Sequence, residues 1–265
     1  MKNYFVIGNP IDHSLSPKLH NHWIRKLNLK ANYEKKRLEE KQIKDLITDI
    51  REKKIDGVNV TVPFKNKVIP HIDILSPNAK ITQSVNTIHL KDNKIIGENT
   101  DIEGFQLGIK SAKLNITGKK IFILGAGGVV PSIILGLKNM KASKILVSNR
   151  TKSKAENLQK TFKDLDIIDW GETTDFDMVI NATSLGLADK DQIDFNFEKI
   201  AKNKIFYDVI YNPSETNFLK SAKKHGGITE NGKMMFIYQA AQAFKLWHGI
   251  APEVSKKTLA VLEND

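Results

Sequence analysis

Lys119–Leu135 reads KKIFILGAGGVVPSIIL. The apolar run Ile121–Leu124 has the length of a buried strand, Gly125, Gly127 and Gly128 make a turn, and the apolar run that resumes after them reads as a helix. Such a strand, glycine turn and helix bring a helix N-terminus, with its unpaired N–H groups and positive dipole end, up to a dinucleotide pyrophosphate. Glycines are needed because the pyrophosphate must approach the backbone where side chains would otherwise stand. Val130 fills the third position of the G-x-G-x-x-G pattern, where Gly or Ala is usual.

Lys144–Val147 reads as the next strand and runs into Ser148-Asn149-Arg150-Thr151. An NAD site would carry an acidic residue here for the ribose 2′-hydroxyl, whereas an Arg suits a 2′-phosphate. Asn149 and Arg150 occupy the place, and Arg150 is one of only four arginines among 41 basic residues. A guanidinium can fork onto phosphate oxygens, so the chemistry favours NADP over NAD.

The 265 residues fit one large or two modest domains, and 40% hydrophobic content supports a real core. With no signal peptide and no apolar run of membrane-spanning length, a cytoplasmic protein is the expectation. The absence of cysteine excludes disulfides, thiolate nucleophiles and Cys-ligated zinc, and the seven scattered histidines give no metal site. The formal charge of +11 resides in lysines spread over helical faces, without the clustered Arg and aromatic residues of a nucleic-acid surface. A positive field of this kind attracts small anions.

From the N-terminus, Tyr4–Gly8 is a strand, and Ser16-Pro17 has the form of an N-cap and N1 proline opening a helix over Lys18–Leu27. Ser14, ahead of that cap, is assigned to a ligand. Asn32–Leu38 is a second strand and Glu40–Lys54 an amphipathic helix with Ile43, Leu46, Ile47 and Ile50 inward. Gly57–Pro63, GVNVTVP, is expected to turn Val58, Val60 and Val62 to one face and Asn59 and Thr61 to the other, delivering polar groups to the strand's rim. Ser84–Ile88 and Ile95–Asp101 flank a Lys91–Lys94 turn as a β-hairpin that brings Asn86 near Asp101. A linking helix, Gly104–Ala112, precedes the nucleotide half.

Strands and helices then alternate from 119 to 228, which predicts a doubly wound parallel sheet. Helices only are expected after 232, over Met235–Leu246 and Pro252–Leu262, returning to the first domain. The fold class is therefore α/β. An N-terminal substrate domain with a mixed sheet (1–101 and 236–265) receives an inserted Rossmann-like domain (102–235).

Nine motifs now stand in order over nearly the whole chain: GNPIDHSLSPKLHN (Gly8–Asn21), NVTVPFK (Asn59–Lys65), SVNT (Ser84–Thr87), NTDIEGF (Asn99–Phe105), GAGG (Gly125–Gly128), NRT (Asn149–Thr151), NATSLGL (Asn181–Leu187), YDVIYNPSET (Tyr207–Thr216) and the helix Gly232–Trp247. Together they resemble the NADP-dependent, biosynthetic shikimate dehydrogenase family. The resemblance implies reversible reduction of 3-dehydroshikimate to shikimate with NADPH, in chorismate and aromatic amino-acid synthesis. It implies Ser14, Ser16 and Tyr211 at the substrate carboxylate, and Thr61, Lys65, Asn86, Asp101 and Gln239 at the ring oxygens. Gln239 is chosen over Gln242 by counting back from Phe244–Trp247.

Lys65 and Asp101 are implied as the catalytic pair, with Lys65 giving a proton to the carbonyl oxygen in reduction. Gly125, Ala126, Gly127, Gly128 and Val129 are implied at the pyrophosphate, and Asn149, Arg150 and Thr151 at the adenosine phosphate. Thr183 and Ile210 are wall positions, Gly232 lies against the nicotinamide, and Met235 packs nearby. No metal is implied. The expected partner is the small-molecule substrate, shikimate or 3-dehydroshikimate, with a homodimer allowed and neither nucleic acid nor membrane expected. A quinate/shikimate dehydrogenase that also accepts quinate or NAD is the alternative enzyme, and a catalytically silent NADP-binding or nucleic-acid-binding protein the alternative of another class.

Overall fold

The computed structural model describes residues 1–172, 174–188, 191–197 and 202–262. The chain divides into two units, Met1–Gly104 with Ile237–Asp265, and Phe105–Phe236.

In the first unit the elements run β1 (Lys2–Gly8), α1 (Ser16–Lys26), β2 (Ala31–Arg37), α2 (Ile43–Arg51), β3 (Gly57–Val60), β4 (Ile74–Leu75), α3 (Pro77–Thr82), β5 (Thr87–Lys91), β6 (Lys94–Glu98) and the start of α4 (Asp101–Ser111). The sheet order is β2-β1-β3-β5-β6-β4. It is mixed, as expected: β1 pairs in parallel with β2 and β3, while β3–β5 and β5–β6 are antiparallel. The hairpin turns at Asp92 and Asn93, both at positive φ (48° and 58°), the backbone of a tight hairpin turn matched to strand twist.

The apolar spacing of α2 buries Ile43, Leu46, Ile47 and Ile50 against Val58, Val60, Ile88 and Ile95 of the sheet. The helix is shorter than expected, because a 3-10 turn over Glu40–Gln42 precedes it and the α-helix stops at Arg51. At the edge strand β2, Asn21 of α1 pairs with both backbone groups of Tyr33, donating to its carbonyl (2.8 Å) and accepting from its N–H (3.1 Å). One side chain thereby satisfies both outward backbone groups of one residue on that edge.

Two local expectations fail here. Ser16 does not cap α1: the N-cap is Leu15, no side chain caps the helix, and the Ser16 N–H instead donates to Ser14 Oγ at 3.3 Å. Strand β3 ends at Val60, so Val62 does not join Val58 and Val60 in the core but is 61% exposed. The reason lies in the turn: Thr61 N–H still reaches Ile7 O (2.9 Å), Pro63 has no N–H to offer, and Phe64 N–H folds back onto Thr61 O (2.9 Å).

The second unit continues from α4 with β7 (Lys120–Leu124), α5 (Val130–Asn139), β8 (Lys144–Ser148), α6 (Lys152–Thr161), β9 (Asp166–Ile168), β10 (Met178–Asn181), β11 (Ile205–Asp208), α7 (Asn217–Lys224) and β12 (Ile228–Asn231). All pairings are parallel in the order β12-β11-β10-β7-β8-β9, the doubly wound order whose direction reverses between β7 and β10. Strand alternation supplies both faces. Ile121, Ile123, Met178, Ile180, Ile205 and Tyr207 pack to one side, and Phe122, Val179 and Phe206 to the other. The strand β12 lies in the stretch around 228–232 where the sequence reading ended the sheet.

α8 (Lys233–His248) passes from the second unit into the first, and α9 is limited to Lys256–Ala260 rather than reaching from Pro252 to Leu262. Residues after 237 are fastened into the first unit by aromatic contacts. Trp247 stacks on Tyr4 (4.9 Å between ring centroids) and donates to Ile88 O, and Phe244 meets Trp23 edge-on at 5.6 Å. A Cβ on Gly57 would stand 2.4 Å from Trp247 Nε1, so that packing requires glycine.

Candidate active site

In the first unit, the turn after β3 carries Lys65. Phe64, 2% exposed, anchors the turn in the core, and Lys65 O accepts from Val85 N–H at 2.8 Å. Its Nζ lies 2.5 Å from Asp101 Oδ2, the two side chains being 12% and 7% exposed. Asp101 is the first residue of α4 and its N–H donates to Asn99 Oδ1 (3.1 Å). The second carboxylate oxygen, Oδ1, accepts from Asn86 Nδ2 at 2.8 Å. Taking an ammonium and a carboxylate out of water is costly unless both are paired and bonded, and here both are.

Asn86 is held from several sides. Its Oδ1 accepts from Thr100 N–H (2.8 Å) and Thr87 Oγ1 (3.1 Å), and its Nδ2 donates to Thr100 Oγ1 (2.9 Å) as well as to Asp101. Asn59 does not reach the rim as expected. It is 6% exposed, and its Nδ2 donates to Asn86 O (3.1 Å) and Thr87 Oγ1 (3.0 Å) while its Oδ1 accepts from the Tyr33 hydroxyl (2.7 Å). Burial raises the Tyr33 phenol far above its ordinary pKa, opposed by the neighbouring Ser16 hydroxyl, so Tyr33 stays a protonated donor.

Ser14 and Ser16 are both nearly buried at the start of α1, Thr61 is half-buried at the end of β3, and Gln239 is half-buried on α8. Lys65, Asn86 and Asp101 are thus brought into one bonded cluster. Tyr211 belongs to the second unit, where its ring stacks on Phe236 at 4.3 Å.

In the second unit, the glycine turn stands at the β7/β10 switch point. Gly125 has φ +112°, and a Cβ on it would lie 2.7 Å from Ala182 O. Gly127 is different: it is exposed, and its Cβ would meet nothing closer than Ala182 O at 3.9 Å. The space beside Gly127 suits close approach of a phosphate to the backbone, so these residues fit a dinucleotide. Ala126 and Val129 are half-buried, Gly128 is exposed, and Val130 is completely buried in the core with its N–H on Gly127 O (3.0 Å).

After β8, Asn149 donates to Thr151 O at 2.8 Å, which shapes the loop that leaves Arg150 and Thr151 exposed. Asp208, buried at the end of β11, accepts from Asn181 Nδ2, Ile210 N–H and Thr216 Oγ1. Burial raises its pKa, with those three bonds opposing. Asn181 Oδ1 in turn accepts from Thr183 N–H and Oγ1, so Thr183 and Ile210 are both set by one buried carboxylate. Gly232 is required by its own surroundings, since a Cβ would stand 2.1 Å from Val209 O. Met235, 6% exposed, belongs to the core of this unit.

Sequence reasoning singled out none of Tyr33, Thr87, Thr100, Asn181 or Asp208 for this site. Polar side chains within or just beyond strands look like solvated positions until the partner strand is known. Among the described residues no group of three His, Cys, Asp or Glu could hold a metal, and no helix is long and apolar enough to cross a membrane.

Two family models match the chain: "Shikimate dehydrogenase substrate binding domain" over residues 6–88 and "Shikimate / quinate 5-dehydrogenase" over residues 107–207. The chain is 60% identical over 262 residues, 99% of each sequence, to shikimate dehydrogenase (NADP(+)) of Pelagibacter ubique. Among solved structures it is similar to the shikimate dehydrogenase of Aquifex aeolicus, with TM-score 0.92 and 35% identity over 100% of this chain and 98% of the other. It is also similar to the Thermus thermophilus enzyme solved with NADP(H) and shikimate, with TM-score 0.90 and 29% identity over 99% of each chain.

Proposed function

The chain belongs to the shikimate dehydrogenase family, and from that membership we propose that Lys65 and Asp101 transfer the proton in its reaction. It is an NADP-dependent oxidoreductase that interconverts shikimate and 3-dehydroshikimate, a step of chorismate and aromatic amino-acid synthesis. The observation that carries the proton-transfer reading is the pairing of Lys65 Nζ with Asp101 Oδ2 at 2.5 Å, with Asn86 on the other carboxylate oxygen.

NADP, when bound, accepts the hydride from the alcohol carbon, and its reduced form returns it. Charge develops on the substrate oxygen during that exchange, so a proton must be given or taken there. Of the three Nζ hydrogens of an ammonium at Lys65, one is used on Asp101, which leaves others for that oxygen. Asp101 fixes where Nζ stands, and Asn86 fixes Asp101. The remaining ring oxygens are assigned to Thr61, Asn86 and Gln239, and the carboxylate to Ser14, Ser16 and Tyr211.

Gly125–Val129 would hold the pyrophosphate and Asn149–Thr151 the adenosine phosphate, with Thr183, Ile210, Gly232 and Met235 along the nicotinamide end. In this reading residues 1–101 with 236–265 form the substrate half and 102–235 the cofactor half. The enzyme works in the cytoplasm on a small molecule, as a homodimer or monomer, with no nucleic-acid partner. The test is Lys65→Met: shikimate binding by calorimetry is retained within about tenfold while kcat falls by about 100-fold or more. Turnover equal to that of the unaltered protein would exclude the role.

A further inference from the structure

Tyr33, Asn59 and Thr87 come from three different strands of the first unit and are 1%, 6% and 0% exposed. Polar groups so deeply buried must be bonded or destabilise the fold. Apart from the bond between Tyr33 and the Ser16 side chain, their bonds converge on Asn86, and their order follows from counting hydrogens.

The Tyr33 hydroxyl has a single hydrogen and gives it to Asn59 Oδ1 (2.7 Å). That fixes the Asn59 amide with Nδ2 turned to the other side, where it donates to Asn86 O (3.1 Å) and Thr87 Oγ1 (3.0 Å). Thr87 Oγ1, already accepting, gives its own hydrogen to Asn86 Oδ1 (3.1 Å). Asn86 is thereby gripped at its main-chain carbonyl and at its side-chain oxygen. Its Nδ2 is left for Thr100 Oγ1 and Asp101 Oδ1.

We propose that Tyr33, Asn59 and Thr87 are positioning residues for the reaction, holding Asn86 so that Asp101 stands in register with Lys65. The inference rests on the proton-transfer reading of Lys65 and Asp101 given above. None of the three residues bonds Lys65 or Asp101 directly; they act through Asn86. Misplacement of reacting groups by a fraction of an ångström is costly in rate while leaving the fold intact.

The test compares Thr87→Val, Thr87→Ser and Lys65→Met in shikimate oxidation with NADP. Valine keeps the shape of threonine and removes the hydroxyl; serine keeps the hydroxyl and removes the methyl. Thr87→Val is expected to lower kcat about tenfold, because Asn86 Oδ1 loses one of its donors and Asn59 Nδ2 one of its acceptors while the Thr100 N–H and Asn86 O bonds remain, with the KM for NADP unchanged. Thr87→Ser is expected to restore kcat to within about threefold of the unaltered protein. A kcat for Thr87→Val equal to the unaltered protein, or an equal loss in the serine variant, overturns the inference.

Where the valine variant does not fold, Tyr33→Phe carries the test, since the ring that stacks on His20 at 4.1 Å is retained and only the hydroxyl is lost. Its kcat is expected to fall severalfold with the KM for NADP unchanged, and an unaltered kcat, or a change confined to the KM for shikimate through the Ser16 hydroxyl that also bonds Tyr33, overturns the proposal. Lys65→Met separates the two layers. If it is inactive while the Thr87 and Tyr33 variants are fully active, only the positioning role falls; if Lys65→Met itself turns over normally, both fall.

Discussion

Lys65 and Asp101 are separated by 36 residues in the chain, yet their side chains meet at 2.5 Å in a part of the first unit largely closed to solvent. Removing one partner of such a pair leaves the other charge uncompensated, at a cost of about 3–5 kcal/mol when burial is complete. Asp101→Asn keeps the shape and removes the charge. We expect it to lower kcat by about 100-fold, on the scale of a lost acid–base group, and to lower the melting temperature as well. Steady-state kinetics beside thermal denaturation would check this, and a variant with a lower melting temperature but normal kcat would assign the pair to stability alone.

The exposed Arg150 stands in the loop after β8. A charge-assisted contact to a 2′-phosphate is worth about 1.5–3 kcal/mol, so Arg150→Ala should raise the Kd for NADPH by tenfold or more and leave that for NADH nearly unchanged. Fluorescence titration with both nucleotides measures the difference. Equal weakening of the two would count against 2′-phosphate recognition.

Two glycines of one turn should respond differently to alanine. At Gly125 the left-handed backbone (φ +112°) and the approach of Ala182 O to 2.7 Å make Gly125→Ala destabilising by about 1–3 kcal/mol. At Gly127 a methyl group meets nothing within ordinary contact except Ala182 O at 3.9 Å, so Gly127→Ala should fold normally and lose NADP affinity. Urea denaturation and nucleotide titration on both variants separate the effects. Normal NADP binding by Gly127→Ala would remove the turn from the pyrophosphate site.

His20 is completely buried among Tyr33, Trp23 and Phe244, and burial, helped by nearby His248, lowers its pKa to about 3. The native state therefore stays unprotonated there after the unfolded chain, titrating near 6.5, has bound its proton. The contribution to stability is complete above pH 6.5 and is lost as pH falls from 6.5 toward 3, by up to about 1.4 kcal/mol per pH unit. Urea midpoints at pH 7 and pH 4.5 should show a smaller acid loss in His20→Phe than in the unaltered protein. An identical loss in both would contradict a neutral buried His20.

The strand, glycine turn and helix at 120–139 were legible because apolar period, glycine spacing and flanking residues agree there. The hairpin at 87–98 and its approach of Asn86 to Asp101 were legible for the same reason, the Asp92-Asn93 turn fixing the register. What could not be read were local outcomes decided by tertiary partners. Ser16 has the pattern of a cap, but its N–H goes to Ser14. Val62 continues the alternation of Val58 and Val60, yet the turn onto Phe64 ends the strand first. Ile228–Asn231, with Ile228 exposed and the other three half-buried, carries too little apolar character to announce an edge strand, and becomes one by pairing with β11. Likewise, Tyr33, Asn59 and Thr87 lie 54 residues apart end to end in the sequence, and only the order of β2, β1, β3 and β5 in the sheet puts them in one line of bonds.

The most direct measurement is absorbance at the nicotinamide band after mixing the purified protein with shikimate or quinate, each in parallel with NADP and NAD. NADP should be reduced rapidly with shikimate, and the other three pairs should react little. Comparable turnover with quinate or with NAD would contradict the specificity assigned to Arg150 and the ring site, and no turnover with any pair would contradict the proposed function itself.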